Sequence, residues 1–537
     1  MTARPAPEAV DVPKRATVPA DATEGDPHKW LIAIAVMLAS MMQVIDTSIV
    51  NVAIPHMMGE LGASIDEIAW VSTGYILASV IVMPMTGWLA AYFGRKRYFA
   101  ASIVIFTAAS FFCGASDTLG TLIVWRIVQG IGGGALITTS QALLYEVFPR
   151  KEIGTALAVF GLGVMVGPTL GPTLGGWLTD AWSWPWIFFI NIPIGIVAAV
   201  MVLVYVHDAP HHIKPRTIDY LGVAMLAASV GAMQYVLEHG QGDDWFDSRT
   251  IVVLSIVAVV SAVALVWREL TVDEPIIDFR VLRHRGMWIG TVIGILFGVG
   301  LFGSVFVLPI FLQGMLRMSA WQTGMVILPG SIATAVSMTI VGRQMNRLDA
   351  RWVIATGIVV FGWSMWDLSR ITAQAGAADF LWPLILRGLG LGMMFVPLTN
   401  IALADLGPSE LPQGAALSNF FRQLGGSFGI AAMASLLTRY TQQARAVLLE
   451  HVAVTDPVSL ERVGTLARGF VARGADTWTA QRLALATVDR QVLAQANAIA
   501  FGKVYLFSGL IMLASLPLVL LVRRPTPSRG GPPVHAE

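Results

Sequence analysis

Cysteine is almost absent: Cys113 is the only one in 537 residues. An intramolecular disulfide and a cage of thiolates around a metal are both excluded by that count. Charge is scarce too, at 13% Asp, Glu, Lys and Arg, where a soluble globular chain carries about 25%. The net charge of +1 leaves no electrostatic footprint for nucleic acid. No apolar core precedes Trp30, so no cleavable signal peptide is expected and residues 1–29 read as a disordered cytoplasmic tail rich in Pro, Ala and charge. A Gly-x-x-x-x-Gly-Lys-Ser/Thr loop is missing, so ATP is not expected as a driver, and a His-Glu-x-x-His metal helix is missing as well. No enzyme activity, metal or cofactor is expected.

Apolar length is what the chain has in abundance. Hydrophobic residues make up 55% and mean hydropathy is +0.68, and runs of about 20 apolar residues each reach across a bilayer as helices. Fourteen such runs are expected near 30–50, 70–90, 98–116, 121–143, 153–175, 185–206, 218–239, 250–268, 287–311, 324–342, 352–370, 381–404, 413–437 and 498–522. Barrel strands would instead alternate over about ten residues. The fold class read here is an all-α polytopic membrane protein. With the N-terminus in the cytoplasm, fourteen Lys and Arg between Arg95 and Arg351 fall in short inner loops, against Arg249 and Arg317 outside. That bias fits an even number of spans with both termini cytoplasmic.

Three embedded charges stand out. Asp46 lies among Met41, Met42, Val44, Ile45, Ile49 and Val50, where a carboxylate costs several kcal/mol and marks a functional site by default. Desolvation favours a carboxyl's neutral form and a nearby guanidinium the charged one, so a conformational change that alters either loads or releases a proton. Arg126 and Arg422 are the embedded cations expected to oppose it. Asp367 is the next acid, placed at an outer helix end, and Glu146 and Glu152 are expected at the inner interface near Arg150 and Lys151. Trp88, Trp125, Trp177, Trp182, Trp184, Trp186 and Trp382 lie near span ends and read mainly as an interfacial belt.

Connections repeat. Gly87 to Arg97 after the second run is echoed by Gly342 to Arg351 after the tenth, and Arg126-Ile-Val-Gln129-Gly130-Ile-Gly132 by Arg387-Gly388-Leu-Gly390-Leu-Gly392. Two parallel six-helix halves produce such echoes. In the fifth run Gly163, Gly167, Gly171 and Gly175 recur every four residues, with Pro168 and Pro172 between them, a face that lets a neighbouring helix approach closely.

On these residues the chain resembles the major facilitator superfamily, specifically the fourteen-helix drug:proton antiporter group of EmrB and QacA type. The first-span string Asp46-Thr47-Ser48-Ile49-Val50-Asn51-Val52-Ala53-Ile54-Pro55 carries the resemblance, with the loop 87–97 like motif A, Arg126 to Gly134 like motif B and 161–176 like the antiporter motif C. Ala91 stands where motif A usually has Asp, leaving Arg95 short of one partner.

The resemblance implies an N-terminal half at 30–206, a linker with two extra helices at 207–286, and a C-terminal half at 287–522. A periplasmic loop at 438–497 and a cytoplasmic tail at 523–537 complete the division. It implies proton-driven efflux of lipophilic or toxic molecules across a bacterial inner membrane, with protons as the coupling ion and no other cofactor. Asp46, Arg126 and Arg422 are then the proton-coupling set. Met42, Gln43, Asn51, Gln129, Met394 and Asn419 form the candidate substrate set, and Gly87, Gly94, Arg95 and Arg97 gate. The partners implied are an EmrA-like periplasmic adaptor and a TolC-like outer-membrane channel, contacted by segment 438–497. Within that segment Thr479 to Leu493 has the spacing of an amphipathic helix lying on the membrane or against a partner, or the segment simply extends the last two helices. An exporter of one metabolite or siderophore, and a transporter-like sensor or scaffold, remain alternatives.

Overall fold

A computed structural model describes residues 27–149, 151–207, 219–345, 347–407, 410–450, 452 and 457–521. The expected tail at 523–537 and nearly all of that at 1–29 lie outside them. Among the described residues there is no strand. With little water to satisfy backbone groups, continuous helix is the form that does so internally.

The first half runs α1 (Lys29–Leu61), α2 (Ile65–Phe93), α3 (Arg95–Gly114), α4 (Leu119–Val147), α5 (Ile153–Ala181), α6 (Trp186–Phe189) and α7 (Asn191–Tyr205). The inserted pair is α8 (Tyr220–His239) and α9 (Arg249–Thr271). The second half runs α10 (Arg285–Pro309), α11 (Ala320–Gln344), α12 (Ala350–Leu368), α13 (Leu381–Leu403), α14 (Leu411–Glu450), α15 (Pro457–Val471), α16 (Thr477–Leu513) and α17 (Leu516–Leu520). Polar caps set the starts: Ser64 and Glu67 form a capping box on α2, Ser319 and Gln322 one on α11, and Asp349 accepts from the Arg351 N–H at α12. The expected sixth span is broken between α6 and α7, where Pro193, third in α7, supplies no backbone N–H.

Pairing repeats between the halves. α1 packs on α5, α2 on α4, and α3 on α4 and α7; correspondingly α10 packs on α14, α11 on α13, and α12 on α13 and α16. The halves meet mainly through α5 with α11 and α2 with α14, and α4 also touches α14 and α5 touches α13. Among the described residues eleven helices are long and apolar enough to cross a membrane. α5, α12 and α14, packed inside the halves, are the further helices a fourteen-span count requires. α8 and α9 pack on each other, and α8 reaches both α2 and α14. Arg268 on α9 donates to Asp219, the cap of α8, at 2.8 and 3.0 Å, and this pairing holds the Asp219 carboxyl below the usual carboxylate range.

Most described residues of the segment expected as a loop at 438–497 are helical. α14 continues unbroken for 40 residues to Glu450, and α16 runs 37 residues from Thr477. The stretch Thr479 to Leu493 is thus the first part of a spanning helix and not a separate membrane-surface helix. One face of α16 is spent on neighbours: Ala480, Ala484, Val492 and Ala496 are buried while Leu483, Leu485 and Leu493 stay exposed, Arg445 pairs with Asp489 at 2.7 Å, and Thr441 donates to Asn497 at 3.1 Å. Small residues let α16 lie close to α14 and α15. Of the seven belt tryptophans, Trp177, Trp182, Trp186 and Trp382 are exposed, whereas Trp88 and Trp184 are buried and the Trp184 indole donates to Glu60 at 2.7 Å.

Candidate functional site

Asp46 is completely buried, and three side chains on two helices hold it. Arg126 on α4 donates to Oδ2 at 2.6 Å, Gln129 one turn later donates to Oδ1 at 2.9 Å, and Asn191 at the start of α7 donates to Oδ1 at 3.0 Å. Arg126 and Gln129 meet the same carboxylate because three residues bring a side chain back to one helix face. The guanidinium is itself held from every side. Its Nε donates to the Val71 carbonyl at 2.9 Å, an Nη to Gln129 Oε1 at 2.6 Å, and the Tyr75 ring lies 4.3 Å below it. Ser110 on α3 accepts from Gln129 at 2.5 Å and from Asn191 at 3.2 Å, and the Cys113 thiol lies 3.8 Å from Gln129 Oε1. Five of the first half's helices thus converge on one carboxylate. An ion pair so enclosed is costly to break, since the survivor is a stranded charge.

The other residues expected to act with it are distributed elsewhere. Arg422 lies in the second half, 5.1 Å over the Phe395 ring and donating to Asn419. Asn419 in turn donates to Gln141 of α4 at 2.6 Å, a polar bond between the halves. Gln129, grouped with the substrate residues by sequence, is placed on Asp46. Met42 and Met394 are fully packed core residues, Gln43 is buried with its Oε1 lacking a partner, and Asn51 is exposed.

Motif C packs on α1. A Cβ at Gly167 would come within 2.7 Å of Val44, and Gly163, Gly171 and Gly175 face Met37, Ser48 and Ile49. Gly154 and Gly342 meet backbone to backbone where α5 and α11 cross, and Gly87 faces Gln413 where α2 meets α14. Gly94 takes φ 89° between α2 and α3. Arg95 pairs with Glu146, so the partner missing at Ala91 is supplied by α4. Glu152 pairs with Lys29 at 2.8 Å, Arg97 is exposed, and Arg150 lies outside the described residues. A Gly-x-Ser-x-Gly string at Gly425–Gly429 sits inside α14, with the Ser427 hydroxyl donating to Gln423 at 3.3 Å. It is not the strand-to-helix turn that exposes a hydrolase nucleophile.

Sequence reasoning missed Tyr75, Ser110, Asn191 and Gln141. Asn191 had a readable signal, an amide between Ile190 and Ile192 in an apolar run, whereas the Val71 carbonyl has none in any sequence.

The Major Facilitator Superfamily family matches residues 36–430. The Multidrug export protein EmrB of Escherichia coli strain K12 is 34% identical over 503 residues, covering 93% of this chain and 96% of its own. The Fatty acid resistance protein FarB of Neisseria gonorrhoeae is 31% identical over 501 residues, covering 93% and 97%. Among solved structures, the human organic anion transporter MFSD10 (TETRAN) superposes with a TM-score of 0.57 at 12% identity, covering 91% of this chain and all of that one. At that identity the likeness concerns the fold alone. With the paired halves, the enclosed ion pair and these full-length similarities together, the chain belongs to the Major Facilitator Superfamily, among its EmrB-like members.

Proposed function

We propose that this protein exports lipophilic or toxic small molecules across a bacterial inner membrane in exchange for protons, by rocking its two halves about the α5–α11 and α2–α14 contacts. The observation that carries the reading is the buried pair of Asp46 and Arg126, 2.6 Å apart in a chain whose full-length relatives include multidrug export proteins. Asp46 carries the proton, and its guanidinium and amide partners set when the proton is released. Arg422, Asn419 and Gln141 lie where the halves meet and face the route of the cargo. Both termini are cytoplasmic, so the hairpin of α14, α15 and α16 projects outside. There it meets a periplasmic adaptor that leads to an outer-membrane channel.

Inside-out vesicles holding the purified chain test this with an imposed pH gradient and a fluorescent lipophilic dye. Dye movement should follow the gradient, collapse when the gradient is dissipated and fall to background in Asp46→Asn. Gradient-driven movement that survives Asp46→Asn assigns the proton to another group, and dye binding without movement identifies a sensor.

A further inference from the structure

Asn191 is a buried amide with only half of its hydrogen-bonding capacity in use. Its Nδ2 donates to Asp46 Oδ1 at 3.0 Å and to Ser110 at 3.2 Å, while its Oδ1 is buried with no partner among the described residues. A buried acceptor left empty costs about 1–3 kcal/mol, so its presence beside the one carboxylate in the cluster requires a reason. The neighbouring amide differs. Gln129 Oε1 accepts from Arg126 at 2.6 Å while its Nε2 donates to Asp46 and Ser110, so both ends are engaged and turning it would break bonds at each.

We propose that Asn191 is a positioning residue that follows the protonation state of Asp46 by turning its amide. In the charged state the carboxylate accepts the Asn191 N–H, as observed. When a proton arrives at Oδ1, the new O–H needs an acceptor, and Asn191 Oδ1, idle among the described residues, belongs to the side chain already bonded to that oxygen. A half-turn of the amide about Cβ–Cγ exchanges an N–H donor for a C=O acceptor of nearly the same size, so the packing around it is kept. The carboxyl proton then lies in a hydrogen bond to Asn191, and no covalent bond changes beyond the O–H formed. The other ionisable groups facing Asp46 are Arg126 from α4, with Tyr75 of α2 stacked on it, and Cys113 of α3 through Gln129. Arg126 is locked by Val71 and Gln129, which leaves the Asn191 amide as the element free to respond. Its place at the first residue of α7, just past the break after α6, lets that response reach the sixth span. This inference rests on Asp46 being the proton carrier.

Infrared difference spectra of the full chain in lipid nanodiscs, titrated in pH without any cargo, test it. A protonated-carboxyl C=O band that disappears in Asp46→Asn reports the carrier. In protein carrying 13C-amide asparagine, an asparagine C=O band should shift in step with that carboxyl band, and the shift should be lost in Asn191→Thr and in Asp46→Asn. Asn191→Val removes a bond from both protonation states, the one to the charged carboxylate being the stronger by about 1 kcal/mol, so the midpoint should move by no more than about fivefold in proton concentration. The isosteric Asn191→Thr, whose hydroxyl donates or accepts, should restore the wild-type carboxyl band position. A silent asparagine band, or a midpoint displaced about tenfold or more in Asn191→Val, overturns the proposal and leaves Asn191 a fixed donor while Asp46 still titrates. Absence of any Asp46-dependent carboxyl band overturns proton carriage itself, and this inference with it.

Discussion

Removing one member of the Asp46–Arg126 pair should destabilise the protein far more than removing both. Arg126 and Asp46 are 1% and 0% exposed, so Arg126→Met strands a carboxylate and Asp46→Leu strands a guanidinium, each at about 3–5 kcal/mol. The double variant Asp46→Leu/Arg126→Met removes both charges together. Its remaining cost comes from Gln129 Oε1, which loses its Arg126 donor, because the Val71 carbonyl stays in the α2 ladder and Gln129 and Asn191 keep Ser110 as acceptor. One unfilled buried acceptor amounts to about 1–3 kcal/mol. Two independent losses would sum to about 6–10 kcal/mol, so the cycle should return a coupling of at least about 3 kcal/mol. A stranded carboxylate can shed its charge by binding a proton, so unfolding is best followed at about pH 8. Equilibrium unfolding in mixed micelles, read by tryptophan fluorescence, gives the four values. Additive losses, with the double variant the least stable of all, would refute the claim that the pair is enclosed and mutually compensated.

Other consequences are open to measurement. Asp219 is held below the usual carboxylate range by Arg268, so its unfolded form binds the extra proton; its contribution is present near neutrality, begins to fall as pH drops below about 4 and is lost through the lower folded value. The melting temperature of wild type should therefore exceed that of Asp219→Asn at pH 7 and converge with it in acid, and a gap that widens in acid contradicts the pairing. At Gly342 any Cβ collides with the Gly154 backbone, so Gly342→Val should pry α5 from α11. In a Cys113→Ala background a cysteine at buried Ala158 should then react with a maleimide about tenfold faster or more, an opening of about 1.4 kcal/mol. Unchanged labelling would place the contact elsewhere. Among its described residues α15 has none buried, so deleting 457–471 and closing the gap with a short Gly/Ser linker should spare folding and reconstituted dye transport. Export by intact cells that depends on an adaptor should be lost, and full cellular resistance would remove the hairpin from the partner interface.

The ion pair was legible because embedded charges are rare enough to be noticed singly. Which cation Asp46 meets was only half legible. Arg126 and Arg422 both read as embedded in apolar runs, but a linear sequence does not say which run packs against the first. The repeats separated the halves, and the contact of α1 with α4 then selects Arg126. Gln129 was noticed for its place in motif B and assigned to cargo, because spacing reveals a shared helix face but not what that face meets. The hairpin was left undecided for a related reason. Apolar spacing in Thr479 to Leu493 is genuine, yet a helix that lies on lipid and one that lies on α14 present the same period. Buried alanines at 480, 484 and 496 are the residues that favour a protein neighbour, since a membrane-surface helix gains more from large side chains.

The comparison of the two halves carries the argument one step further. Arg387 begins the second half's echo of the Arg126 motif, and α13 stands in that half where α4 stands in the first. It is likewise buried, yet its hydrogen bond is a long one of 3.5 Å to the Ser304 carbonyl on α10, the helix corresponding to α1. The carboxylate that α1 supplies at Asp46 has no counterpart there. Under the proposed function, proton chemistry therefore belongs to one half, and the other keeps fixed positive charge at Arg387 and half-buried Arg422. Protonating Asp46 removes the negative charge paired with Arg126 and leaves the guanidiniums of Arg126, Arg387 and Arg422. A low-dielectric interior transmits that change over distances that water would screen. Proton and cargo can then influence one another's binding through the field between the halves without touching the same residue. On this view Asp46 needs neither exposure to the cargo route nor release from its enclosed ion pair in order to couple the two.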